Sequence, residues 1–267
     1  MKILLLITTH LSLEHVAFLR RCWPPANHKL SLLRKADAVV YINGNLSRNA
    51  TRALAVAFPP VDRIFSYQRA AQMPRVLGGN PMRRQTGAML GLDAADREQW
   101  RAGYDWVMRM NPDVIIRDDT FLLSAMARSD VDGIFANCRG KAENLMVMTD
   151  FTAWRPAAVP VGAFRLPAGH TTQCGKRDAW YKKTICNAER STTTAFQKVL
   201  ASGRYVLLPN AKDGGRDCRT NGRRSGVYHD HEYVGRCRAE LSRGGAGAAT
   251  AASRAARARD RPKFAPP

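Results

Sequence analysis

The residues best placed to do chemistry gather around one tripeptide. A hydrophobic run, Trp106-Val-Met-Arg-Met110, ends in Asn111-Pro112-Asp113, and apolar sequence restarts at Val114-Ile115-Ile116. In open parallel sheets ligands sit at the carboxyl ends of the strands, so a carboxylate placed there faces the binding crevice and Asp113 becomes the leading single-site candidate. The same three residue types are equally at home in a plain turn between two elements. Late in the chain, His229-Asp230-His231 places two imidazoles at i and i+2, which point the same way along an extended segment. A pair of surface loop histidines is the other reading. Glu189 opens a predicted helix after a Cys- and Lys-rich loop. It is a candidate general base for a hydroxyl proton, or a first-turn carboxylate that complements the helix dipole. Arg75, Arg83, Arg84, Lys212, Arg216 and Arg219 are candidates for neutralising a diphosphate, with Gly214-Gly215 allowing close backbone approach beside Lys212.

With Asn111-Pro112-Asp113 at the end of a central strand and apolar residues on both sides, the sequence resembles the nucleotide-sugar glycosyltransferases of the GT-A fold. Their central strand ends in an Asp-x-Asp metal motif, and here the second carboxylate is kept while an amide, Asn111, stands in place of the first. The resemblance implies a sugar donor activated as a nucleoside diphosphate, and a glycan, protein or small-molecule hydroxyl as acceptor. It further implies a Mn²⁺ or Mg²⁺ cofactor on Asp113 with His229 or His231 as a late ligand, since imidazole suits Mn²⁺ better than Mg²⁺. Met146-Val-Met-Thr149-Asp150-Phe151, followed by Trp154-Arg155-Pro156, is similar to the strand and turn that hold sugar hydroxyls in that superfamily. Asp150 is then a sugar ligand or the base of an inverting transfer, shared with Glu189; a carboxylate capping the next turn is the bland alternative. Thr8 and Thr9, at the end of the first strand, sit where that fold first meets the nucleotide. Together with Arg84, Asn111 and Lys212 they make up the expected donor-binding set.

Elements able to position these residues follow from the hydrophobic pattern. Residues 3 to 9 form a buried first strand, Ser12 caps an amphipathic helix stopped by Pro24-Pro25, and Ala38 to Ile42 is a second strand. Helices are predicted at Arg48 to Phe58, Thr86 to Arg101, Phe121 to Ala127 and Glu189 to Ala201. Strands are predicted at Val61 to Phe65, Trp106 to Met110, Val131 to Asn137, Leu145 to Thr149 and Tyr205 to Leu208. The alternation predicts an α/β fold, a single GT-A-like (Rossmann-like) domain over residues 1–240 with a mostly parallel central sheet flanked by helices. From Gly244 onward the sequence turns to Gly, Ala and Arg without apolar periodicity, which predicts a disordered basic tail over 241–267.

Composition narrows the alternatives. The 267-residue chain carries a formal charge of +20, of which seven Lys or Arg against Glu240 and Asp260 belong to Arg238 and beyond. A body that stays basic without its tail attracts polyanions, so nucleic acid is an alternative partner. It is disfavoured because no zinc knuckle, aromatic RNP motif or basic recognition helix is present. Ile7 is followed by Thr-Thr-His-Leu-Ser, without the glycine pattern of a dinucleotide-binding turn, and no Gly-x-Ser-x-Gly occurs. The six cysteines lack paired spacing and do not fix the compartment. Lys2 to Ile7 is too short for a secretory hydrophobic region or a transmembrane segment, which favours a cytoplasmic location over the lumen of the secretory pathway.

Overall fold

The computed structural model describes residues 1–43, 46–58, 65–69, 80–137, 145–165, 188–208 and 234–236, with the backbone alone described at 65–69, 80–86 and 234–236. All belong to one compact unit, Met1–Cys237. The tail expected over 241–267 lies outside the described residues.

β1 (Ile3–Thr9) is buried along its whole length because it lies in the middle of the sheet with helices over both faces. It pairs in parallel with β2 (Asp37–Ile42) on one side and β4 (Trp106–Met110) on the other. β3 (Phe65–Arg69), β6 (Gly133–Asn137), β7 (Val147–Trp154) and β8 (Tyr205–Leu207) complete a seven-stranded sheet in the order β3-β2-β1-β4-β7-β6-β8. β7 runs antiparallel to both β4 and β6, while the other pairings within this sheet are parallel. The class is therefore α/β, with a mixed, mostly parallel sheet between two helical layers.

Alternation along the strands divides the core in two. Ile3, Leu5, Ile7, Met108, Met110 and Phe151 face α1 (Leu13–Arg21), α2 (Trp23–Lys29), α3 (Ser31–Lys35), α4 (Arg48–Ala57) and α6 (Thr120–Ala127). Leu4, Leu6, Val107 and Trp154 face α5 (Asn80–Arg97), α7 (Ala188–Ala195) and α8 (Gln197–Ser202). On the first face Trp23 is fully buried, its ring 5.0 Å from that of Phe58. On the second, α5 lies close against the sheet. A Cβ at Gly91 would stand 2.6 Å from Thr8 Cγ2 and 3.2 Å from Tyr41 Cδ1, so only glycine permits that approach.

Several expected boundaries shift for identifiable reasons. Ser12 does cap α1, its hydroxyl accepting from His15 N at 3.2 Å. Pro24 and Pro25, expected to stop that helix, instead sit in the first turn of α2, where a missing N–H has no intrahelical partner to lose. The helix expected from Thr86 starts earlier, at Asn80, and the helix expected over Glu189 to Ala201 is two helices that meet at Phe196. The third strand lies at Phe65–Arg69, with 61–64 outside the described residues. β5 (Val114–Ile116) leaves the main sheet and pairs antiparallel with β9 (Val234–Arg236). Cys22, buried where α1 gives way to α2, is disulfide-bonded. No helix among the described residues is long and apolar enough to cross a membrane.

Candidate functional site

The carboxyl ends of β1 and β4 lie side by side, Ile7 opposite Met110. Because β7 runs the other way, it brings its beginning to that same edge: Met110 pairs with Phe151, and Asn111 N donates to Asp150 O at 3.1 Å. Thr8, Arg109, Asn111 and Asp150 are thereby gathered on one edge of the sheet, from three strands and one turn.

Their side chains form a single hydrogen-bonded chain. Arg109 donates from Nε to Thr8 Oγ1 at 3.0 Å and from Nη2 to the same hydroxyl. Nη2 also donates to Asn111 Oδ1 at 2.5 Å. With its oxygen turned to the guanidinium, the Asn111 amide presents Nδ2 to Asp150 Oδ1, again at 2.5 Å. A bond from an amide to an ionised carboxylate is stronger than one between neutral groups, so Asp150 is firmly oriented. Arg109 is 1% exposed. It acts on its neighbours and is out of reach of a ligand.

Glu189 stands beside this chain in the first turn of α7. The hydroxyl of Thr149 donates to Glu189 Oε1 at 2.9 Å, and Thr193 Oγ1 accepts from Val147 N at 2.9 Å, fixing α7 to the start of β7. Thr192 Oγ1 lies 3.4 Å from Met89 Sδ and joins α7 to α5. Burial pushes the Glu189 carboxyl above the usual carboxylate range, and the negative charge of Asp150 adds to the rise. Its helical N–H, the Thr149 hydroxyl and the Arg109 charge act in the opposite direction. Glu189 is accordingly more basic than an ordinary glutamate.

The other expected residues fall out differently. Thr9 points to the opposite face from Thr8, and its hydroxyl is paired with His15 Nδ1 at 2.9 Å while accepting from Leu11 N at 3.0 Å. Asp113 lies in the turn closed by Val114 N donating to Asn111 O at 3.1 Å, and at 7% exposure it is more buried than Asp150 or Glu189. Trp23 Nε1 donates to Pro112 O at 2.8 Å and holds that turn from the α2 side. The side chain of Arg84 and the whole of Lys212, His229 and His231 lie outside the described residues. β9 does return the chain to the strand that follows Asp113, three residues after His231. Sequence reasoning marked the segments that hold Arg109 and Thr149 but gave neither residue a role. Arg109 had a signal, being the one charged residue in a strand otherwise buried and apolar.

A divalent cation fits the described residues poorly. The Asn111 oxygen, which would be its ligand in place of the first carboxylate, faces a guanidinium, and its nitrogen faces Asp150. Among the described residues, no three His, Cys, Asp or Glu side chains are grouped to hold a metal. A surface cavity lined by Pro160, Gly162, Thr194 and Lys198 includes none of the candidate residues.

No protein-family model matches this chain, and no curated protein matches it. Solved structures with a similar course of the chain include a putative nucleotide-diphospho-sugar transferase from Desulfovibrio desulfuricans G20. It is 11% identical, over 78% of this chain and 79% of that one, with a TM-score of 0.42. The mannosyltransferase PcManGT from Pyrobaculum calidifontis, solved with GDP-Man and Mn²⁺, is 14% identical over 79% of this chain and 55% of that one, with a TM-score of 0.44. An active-site mutant of LgtC is 12% identical over 98% of both chains, with a TM-score of 0.48. Likenesses this weak assign neither a donor nor an activity.

Proposed function

We propose that this chain is a glycosyltransferase, moving a sugar from a nucleoside diphosphate donor to an acceptor hydroxyl at the edge formed by β1, β4 and the start of β7. The observation that carries the reading is the pairing of two unlike carboxylates there. Asp150 is oriented by an amide, and Glu189 is made more basic by burial and by Asp150 itself. A carboxylate of raised basicity beside a second, hydrogen-bonded one suits a division of labour between proton transfer and binding. Support also comes from the position of the pair, at the edge where open α/β sheets bind ligands.

In the proposed reaction the acceptor oxygen forms a bond to the anomeric carbon as the bond from that carbon to the diphosphate breaks. Glu189 takes the acceptor's proton. The Thr149 hydroxyl orients the carboxyl through Oε1, and the raised basicity increases the driving force for that transfer. Asp150, oriented by Asn111, is the proposed acceptor of a hydrogen bond from a sugar hydroxyl. Direct attack with a single base inverts the anomeric configuration. Arg84 and Lys212 remain the proposed cationic partners of the departing diphosphate, and Thr8 marks the donor's end of β1.

The Mn²⁺ or Mg²⁺ expected on Asp113 with His229 or His231 is given no step, because the Asn111 oxygen faces Arg109 and both histidines lie outside the described residues. Chelation decides its part: turnover that is lost with EDTA, restored by Mn²⁺ and absent in a folded Asp113→Ala variant would return the cation to the mechanism. Of the two compartments, the disulfide at Cys22 suits the oxidising one.

The test is a nucleotide-release assay with UDP-, GDP- and CDP-sugars, preceded by a thermal-shift screen with the corresponding nucleotides to choose the donor. The expected result is one nucleotide that raises the melting temperature and one matching sugar donor that is turned over, with turnover lost in Glu189→Gln. If no nucleoside diphosphate shifts the melting temperature and no sugar donor is consumed, the reading falls.

A further inference from the structure

We propose that Arg109 is the positioning residue of this site: its fork, closed on Thr8 and on the Asn111 oxygen, fixes which end of the Asn111 amide meets Asp150. The assignment rests on the transferase reading for its consequence in turnover and on geometry alone for the contact itself.

A buried arginine in the middle of a strand is costly to desolvate, and it persists where its donors find fixed acceptors. Here one hydroxyl accepts from both Nε and Nη2, and the amide oxygen accepts from Nη2. Register explains the convergence. Arg109 lies opposite Leu6 on β1, so Thr8, two residues on, shares its face, and Asn111 follows on that same face one step beyond the strand. An asparagine side chain is nearly symmetrical in shape and opposite in chemistry at its two ends. Left to itself beside a carboxylate it can flip, and a flipped amide would set its oxygen against Asp150 and repel it. The guanidinium removes that choice, since it accepts no hydrogen bond and must be met by the oxygen.

The same geometry accounts for an amide at position 111. A carboxylate there would pair with Arg109 yet have no proton to give Asp150, and two like charges would face each other. Only a side chain with an acceptor at one end and a donor at the other links a guanidinium to a carboxylate. Arg109 also lowers the proton affinity of Glu189 through its charge, so one residue reaches both carboxylates by different routes.

Two classes of variant separate geometry from charge. Arg109→Lys and Thr8→Val each break the fork, the first keeping the positive charge and the second leaving the arginine intact. Both are expected to lower kcat by about tenfold to a hundredfold, the cost of misplacing a reacting group by on the order of 1 Å. The acid limb of the pH–rate profile should stay in place for both. Arg109→Gln is expected to lose as much turnover and to move that limb to higher pH, because Glu189 is relieved of a nearby cation. An activity-independent readout is the Asn111 side-chain amide in ¹H–¹⁵N NMR. In the parent protein it should be downfield and protected from exchange by its bond to Asp150, and in all three variants it should collapse toward the position of a solvated amide. A variant that remains folded by circular dichroism and keeps that resonance in place overturns the assignment, as does turnover within twofold of the parent in both Arg109→Lys and Thr8→Val. If the parent protein consumes no sugar donor the transferase reading fails, and the amide resonance still decides the role of Arg109.

Discussion

Replacing Trp23 with phenylalanine tests how strongly the α2 layer holds the turn that carries Asn111 and Asp113. The indole is fully buried, and its Nε1–H meets the Pro112 carbonyl at 2.8 Å. Phenylalanine keeps an aromatic ring against Phe58 and removes only the donor and part of the ring volume. Leaving the buried carbonyl without its donor costs about 1–3 kcal/mol. The volume no longer filled adds about 1 kcal/mol, a fraction of the larger cost of truncating such a side chain to alanine. A total of about 2–4 kcal/mol lowers the melting temperature of a domain this size by roughly 4–16 °C. Scanning calorimetry of both proteins at pH 7 measures the difference directly. In the transfer assay, Trp23→Phe should also lose activity at temperatures where it is fully folded, because the turn it releases carries Asn111. A melting temperature within 1 °C of the parent would refute the reasoning, since it would mean that the carbonyl finds an equal partner without the indole.

Glu189→Gln should show a pH-dependent gain in stability. The folded carboxyl sits above its ordinary pKa through burial first and Asp150 next. Its ionisation therefore weakens the fold as pH rises through the folded value, and the penalty is absent below the unfolded one. Melting temperatures should favour the variant at pH 7.5 and coincide at pH 3.5; an equal gain at both would show that charge is not the cause. Gly91→Ala should destabilise, because a methyl 2.6 Å from Thr8 Cγ2 overpacks the α5 contact by about 1–3 kcal/mol. That outweighs the roughly 0.5–1 kcal/mol that alanine gains in a helix, and a rise in melting temperature would reverse the order of the two effects. Asp96→Asn breaks an ion pair with Arg101 at 2.7 Å in which both side chains are buried. The expected loss in urea unfolding is about 3 kcal/mol, the low end for such pairs, because Arg101 keeps the carbonyls of Pro156 and Val159. A loss below 1 kcal/mol would show that those carbonyls suffice.

The α/β class was legible because its signals are local. β1, β2 and β4 are short apolar runs between capped helical segments, and Ser12 behaves at the start of α1 as its type predicts. Strand direction was not legible. The strand expected over Leu145 to Thr149 runs on to Trp154, and its antiparallel course rests on pairing with β4 and β6, which no local pattern encodes. The β5–β9 pair joins residues far apart in sequence, which no local pattern announces. Pro24 and Pro25 were misread because proline ends one helix and begins another with equal ease. The sequence pointed to the carboxylates of the candidate site and not to the hydrogen bonds that connect them. Asp150 and Glu189 stand in one cluster, while Thr8 and Thr9, adjacent in sequence, part to opposite faces of the sheet. Arg109 lay within the marked segment, but its role was not legible, because a hydrophobic average over Trp106 to Met110 absorbs a single charge.

The reversed course of β7 bears on how this protein can tolerate changes in chain length. Asp150 owes its place to a ladder in which Met110 meets Phe151 and Arg109 meets Thr152. Side chains alternate along that ladder, so deleting one residue at 147 or 148 while the pairing beyond Asp150 holds would leave the carboxylate where it is. Deleting one between 151 and 154 would push every earlier residue one step along, turning Asp150 to the far face and bringing Thr149 to the amide. Two stretches of one strand thus differ in their tolerance to the same lesion, and a scan of single-residue deletions along β7 would draw the boundary at Asp150.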